Sequence, residues 1–218
     1  PDVEPGPVRR RHRQPAGHPE NPACPEPGDT RNRAAAWLHQ AGAELIIALD
    51  CGITAHAQVD YASSLGIDVI VVDHHEPEAT LPKAFALINP KRKDCTSKAD
   101  YLCAAGVSFF LISALRRELR EKGYFSQRAE PDLKELLDLV ALATVCDVVP
   151  LIKNNRILVK HGLKIIKEGK RPGLNALIEA AGVNREKISS TNLGFHLGPR
   201  INAVGRLEDA TMALTLLN

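Results

Sequence analysis

Asp73-His74-His75 places one carboxylate and two imidazoles at the point where an apolar run stops. Asp50 stands 23 positions earlier, at the end of another short apolar run, and Asp147 follows a third apolar segment. Mixed carboxylate and imidazole donors suit manganese, and also magnesium or zinc. Two such ions about 3.5–4 Å apart can generate a hydroxide nucleophile and clamp a phosphate in transfer. Any single Asp could instead cap a helix, and any single His could pack in a core. Nothing structural requires the triplet, so the set as a whole points to chemistry.

A second constellation runs from Gly194 to Leu207. Its glycines and Pro199 predict a loop, in which Arg200 and Arg206 can make bidentate contacts with phosphate. Asn202 can orient a substrate or a metal-bound water. The alternative is a surface turn with two solvated arginines, and His196 reads as structural rather than as a ligand. A Walker A loop, a GxGxxG after a strand, a GxSxG elbow and an HExxH helix are all absent from the sequence.

These residues need a scaffold that brings them together. Residues 66–72 are β-branched and almost continuously apolar, the pattern of a central parallel strand covered on both faces. Residues 44–49 predict a second strand, and Ala55, Val59, Ala62 and Leu65 recur at helical spacing between the two. Such a crossover is nearly always right-handed, so both strand ends point the same way and Asp50, Asp73, His74 and His75 share one rim. A third strand is predicted over 84–88, stopped by Asn89-Pro90, with a polar loop over 91–101. Helices are predicted over 33–41, 104–122, 133–145, 155–167, 171–182 and 208–217. The 133–145 helix is apolar nearly all round, has Pro131 at its start, and delivers Asp147. The fold class is α/β, a parallel sheet with flanking helices followed by a mainly helical segment.

Composition narrows the remaining choices. With 28 basic and 26 acidic residues the net charge is only +2, so any nucleic-acid contact must come from local patches. No apolar stretch approaches the roughly 18–20 residues needed to span a membrane. Five cysteines, an odd number without CxxC spacing, argue against a zinc ribbon or disulfide scaffold and for reduced thiols in a cytoplasmic protein. Residues 1–33 carry eight prolines around Arg9-Arg10-Arg11 and almost no aliphatic residues, so they read as a disordered or aberrant segment. Residues 34–151 then form the α/β core and 152–218 its helical part. A start at Pro1 rather than Met, with no signal peptide, reads as a fragment or processed product.

Four strings carry a family resemblance: Leu49-Asp50-Cys51-Gly52-Ile53, Val72-Asp73-His74-His75-Glu76, residues 143–151 around Asp147, and residues 198–207 around Arg200. Together they resemble the DHH phosphoesterases and, among these, the RecJ-like single-strand-specific DNA exonucleases, over about residues 32 to 218. The resemblance implies a DHH phosphoesterase core that uses two Mn2+ or Mg2+ ions. Asp50 would bridge them, His74 and Asp147 would be ligands, and Asp73 and His75 would be ligands or groups that orient them. Arg200, Asn202 and Arg206 would hold the scissile phosphate. It further implies 5′-to-3′ release of mononucleotides from single-stranded DNA in repair and recombination, by in-line attack of metal-activated water. The implied partners are single-stranded DNA and a single-strand-binding protein or helicase, with the enzyme acting as a monomer and no membrane involved. Alternatives are a phosphodiesterase of the same family acting on short oligonucleotides or cyclic dinucleotides, and a non-catalytic DHH scaffold that binds nucleic acid. RecJ-like proteins also carry an Asp-x-Asp-x-Asp-Gly motif on an earlier strand, which residues 1–40 do not match, and further C-terminal domains. The expectation is therefore most of a catalytic core with one weakened metal site.

Overall fold

Three short parallel strands make the sheet: β1 (Leu45–Leu49), β2 (Asp68–Val72) and β3 (Ala86–Ile88), in the order β1-β2-β3. The computed structural model describes residues 32–207 and 211–217, so residues 1–31, most of the 1–33 segment, lie outside the described residues. β2 is the central strand that its β-branched run predicts, with Val69, Val71 and Val72 all buried. Leu49 pairs with Val72 and Val72 with Ile88, so the three strands end level. Beyond the ladder, the Asp50 N–H donates to the Val72 carbonyl and the Asp73 N–H to the Ile88 carbonyl, both at 3.0 Å. Both acids are therefore held by backbone bonds at one edge.

Helices cover the two faces. α1 (Arg33–Gln40) and the crossover helix α2 (His56–Ser64) pack Ala35, Val59 and Ala62 against Val69 and Val71. On the other face, Val72 shares a cluster with Leu102, with Val107 of α3 (Ala104–Glu121), and with Leu137 and Val140 of α4 (Leu137–Cys146). Leu158 of α5 (Lys153–Glu168) joins the same cluster, so sheet and helical segment share a core across residue 151. Burying one such side chain stabilises by about 1.5–3 kcal/mol. At the sheet's β1 edge, Leu45, Ile47 and Leu49 are about half exposed.

The expected helix over 133–145 opens instead as a 3-10 turn, Leu133–Leu136, before α4. Its cap is Asp132, whose carboxylate accepts from the Lys134 N–H at 3.0 Å, so Pro131 precedes the cap rather than starting the helix. α6 (Pro172–Ala180) does begin on a proline. The predicted loop over 194–207 is helical: α7 (Ser190–Asn192) runs through a π turn, Leu193–Leu197, into α8 (Gly198–Leu207). Pro199 lacks an N–H and crowds the carbonyl four residues before it, and the widened turn just ahead accommodates that. Gly194 and Gly198 serve close approach rather than turning. A Cβ on Gly198 would lie 2.6 Å from Cys146 Sγ, and one on Gly194 3.2 Å from Val145. α9 is Thr211–Leu217, inside the predicted 208–217, of which 208–210 lie outside the described residues. No helix among the described residues is long and apolar enough to cross a membrane.

Candidate metal centre

Where β1 ends, Asp50 adopts φ 64°, a left-handed conformation that Asp tolerates better than most residues. Gly52 follows at φ 106°, where a Cβ would press to 3.3 Å on the Val71 methyls, and lets the chain fold back over the end of β2. That fold-back brings the Ile53 N–H to 3.0 Å from Asp73 Oδ2. Asp73, only 1% exposed, takes three more donors on Oδ1: the His74 N–H at 2.7 Å, the His75 N–H at 3.2 Å and His75 Nδ1 at 2.7 Å. Burial pushes the Asp73 carboxyl up, but these accepted hydrogen bonds outweigh it and hold the group below the ordinary carboxylate value. With the His75 proton assigned to Nδ1 by this bond, Nε2 is left as a lone-pair donor.

In front of this buried acid the ligand atoms converge. One donor atom each from Asp50, His74 and His75 lies within 4.8 Å of the others. His74 is buried at 7% exposure, and its Nε2 stands 3.3 Å from Asp50 Oδ1 and 3.5 Å from Asp147 Oδ2. Neither approach has hydrogen-bond geometry, so Nε2 is a buried polar atom without a partner. An imidazole nitrogen aimed at two carboxylates, with no bond to either, is the arrangement a shared cation satisfies. The residues present therefore fit a divalent metal ion.

Asp147 reaches the cluster from a different element, as the C-cap of α4. The turn behind it is strained, because Val148 sits at φ 58° with its side chain in solvent, an unfavourable conformation for a β-branched residue. Burial first, and then the Asp50 charge, raise the Asp147 carboxyl above its ordinary value, against the pull of His74, His75 and Lys91. The Asp50 and Asp147 carboxylates repel each other across His74, and a bound cation would relieve that repulsion.

Of the phosphate-binding candidates, Arg200 and Asn202 are exposed on α8, whose start abuts Cys146, the residue before Asp147. Arg200 Nη1 donates to the His196 carbonyl at 2.7 Å. Arg206 belongs to α8, but its side chain lies outside the described residues. His196 is exposed and is not part of the metal cluster.

With that geometry in place, comparison with known proteins is direct. The model of the DHH family, N-terminal domain, matches residues 8–144. The chain belongs to the DHH family. Relatives include the single-stranded-DNA-specific exonuclease RecJ of Escherichia coli (strain K12), 53% identical over 182 residues, which are 82% of this chain and 32% of that protein. RecJ of Thermus thermophilus is 37% identical over 179 residues, 82% of this chain and 25% of that protein. The chain thus spans about a third or less of the length of these curated relatives. The crystal structure of RecJ from Thermus thermophilus in complex with Mn2+ superposes with a TM-score of 0.70 at 36% identity, covering 84% of this chain and 26% of that one.

Two residues of this DHH-family chain that sequence reasoning passed over also belong to the rim, Asn89 and Lys91. Asn89, read only as a strand stop, is buried and donates from Nδ2 to the His75 carbonyl at 2.9 Å. Its Oδ1 accepts the Lys91 N–H at 2.8 Å. An Asn directly after an apolar strand that ends beside metal-binding residues is the signal that was available.

Proposed function

We propose that this chain is the catalytic core of a metal-dependent exonuclease that hydrolyses phosphodiester bonds of single-stranded DNA from the 5′ end. The observation that carries the reading is the convergence of Asp50, His74 and His75, with Asp147 Oδ2 3.5 Å from the same unpartnered buried imidazole nitrogen. Asp50, His74 and Asp147 are the residues that would hold the ions, Mn2+ or Mg2+. His75 joins them through Nε2, while Asp73 holds the His75 ring and the Ile53 loop in place. Bound divalent ions supply the positive charge that acidifies a water and neutralises the phosphate. Arg200, Asn202 and Arg206 bind the phosphate beside Asp147. The names of the relatives, and the manganese in the structure of one of them, support the substrate and the metal. The same reading places the enzyme in the cytoplasm as a monomer that works with a single-strand-binding protein or helicase in repair and recombination. It treats residues 34–151 and 152–218 as one catalytic core.

The test is Mn2+-dependent release of mononucleotides from a single strand, compared with a duplex and with a dinucleotide. The single strand is the preferred substrate, and His74→Ala lowers kcat by more than the roughly 10–100-fold that loss of an outer supporting partner costs. Preference for the dinucleotide would point to a short-oligonucleotide phosphodiesterase. Absence of bound manganese in the intact protein would leave only a nucleic-acid-binding scaffold.

A further inference from the structure

At the rim of the candidate centre stands a cation with no role so far. Lys91 begins the loop after β3, and its position is set rather than left to the loop. The carboxamide of Asn89, 4% exposed, accepts the Lys91 N–H at 2.8 Å and donates to the His75 carbonyl at 2.9 Å. One buried side chain thus ties Lys91 to the backbone of the triplet itself. Asn89 is in turn fixed at the end of β3, where the Ile88 carbonyl accepts the Asp73 N–H.

The Lys91 ammonium is available. Its one ion-pair contact among the described residues is Glu76, at 4.0 Å, and the Glu76 side chain is 82% exposed. A pair that long and that wet is worth little. The next residue differs, because Arg92 is engaged by the Asp94 carboxylate and the Leu87 carbonyl. A partly exposed ammonium anchored by its backbone beside a candidate phosphodiesterase centre suits a phosphate oxygen, which needs a point charge rather than a fixed fork.

We infer that Lys91, positioned by Asn89, is a substrate-binding residue whose ammonium takes a phosphate of the single strand lying across the Asp50–His74–Asp147 centre. This rests on the nuclease reading above and adds to it a residue outside all four motif strings. The competing role is neutralisation of the acidic cluster alone, and the two differ in what they predict. A neutralising lysine opposes cation binding, so its removal would tighten Mn2+ and leave DNA affinity alone. A phosphate-binding lysine carries one counterion-releasing contact with the strand.

The experiment is fluorescence anisotropy of a labelled oligothymidylate on the full protein, with Ca2+ in place of Mn2+ and salt as the variable. Lys91→Gln is expected to weaken binding about tenfold and to shrink the slope of log K against log salt by about 0.7, with Lys91→Arg close to wild type. Asn89→Ala should reproduce the loss without removing the charge. An unchanged slope and affinity in Lys91→Gln would overturn the inference, as would a change confined to Mn2+ affinity. Failure of the wild-type protein to bind manganese or cut DNA would instead count against the nuclease reading.

Discussion

Asp73 shows how one side chain can organise a site from behind. Its two oxygens accept from the Ile53, His74 and His75 N–H groups and from the His75 ring, which joins the β1 fold-back to the triplet. Its folded-state pKa lies below the ordinary value. The sign follows from linkage: stability from such a group is fully present above the unfolded pKa of about 3.9 and is lost as pH falls through the lower folded value. With metal removed by a chelator, wild type should exceed Asp73→Asn by about 1–3 kcal/mol near neutral pH, because Asn leaves a buried donor unmet. Urea melts should show the two converging in strong acid, and a difference independent of pH would contradict this. That Asp50 and the triplet would meet at one rim was legible in the sequence, because ligand-type side chains follow two apolar runs that a crossover helix makes parallel. Asn89 was not, because its partner His75 is 14 residues away and only the level strand ends bring them together.

At the scale of elements, Asp147 depends on how α4 lies against α5. The two helices meet at Gly162, where an added Cβ would collide with the Leu137 carbonyl and the Ala141 side chain. Gly162→Ala therefore sets two effects against each other. Alanine is favoured over glycine in a helix by about 0.8–1.0 kcal/mol. Overpacking against a backbone carbonyl costs about 1–3 kcal/mol or more, and the carbonyl cannot rotate aside, so packing wins. The variant should melt lower than wild type and bind Mn2+ more weakly, as the end of α4 is displaced. A variant as stable as wild type would show that the helices do not meet there. The same logic explains the misread stretch over 194–207. Glycine spacing alone cannot separate a turn from a helix that must lie close to a neighbour, and here Val145 and Cys146 supply the neighbour.

For the whole molecule, the crossover and the buried central strand were legible because one run of β-branched residues needs cover on both faces. Long-range polar clamps were not, and the strongest of them closes the helical half. Asp138 of α4, buried, takes Arg171 Nε on Oδ2 at 2.7 Å and Nη2 on Oδ1 at 3.3 Å. Arg171 Nη1 then donates to the Leu217 carbonyl at 2.7 Å, so one guanidinium joins α4, the start of α6 and the end of α9. Gly173 lets the Leu216 carbonyl come close enough for this, since a Cβ there would collide with it. Arg171→Met leaves a buried carboxylate unpaired and should cost about 3–5 kcal/mol, whereas pairing it with Asp138→Leu should recover most of that, because a buried ion pair is worth little over a well-packed apolar pair. Hydrogen exchange separates the two tasks of Arg171. Amides of residues 211–217 should exchange faster in the single and the double variant alike, since both lose the donor to Leu217, while global stability returns only in the double. Recovery of protection along with stability would mean that packing alone, and not the arginine, holds α9 in place.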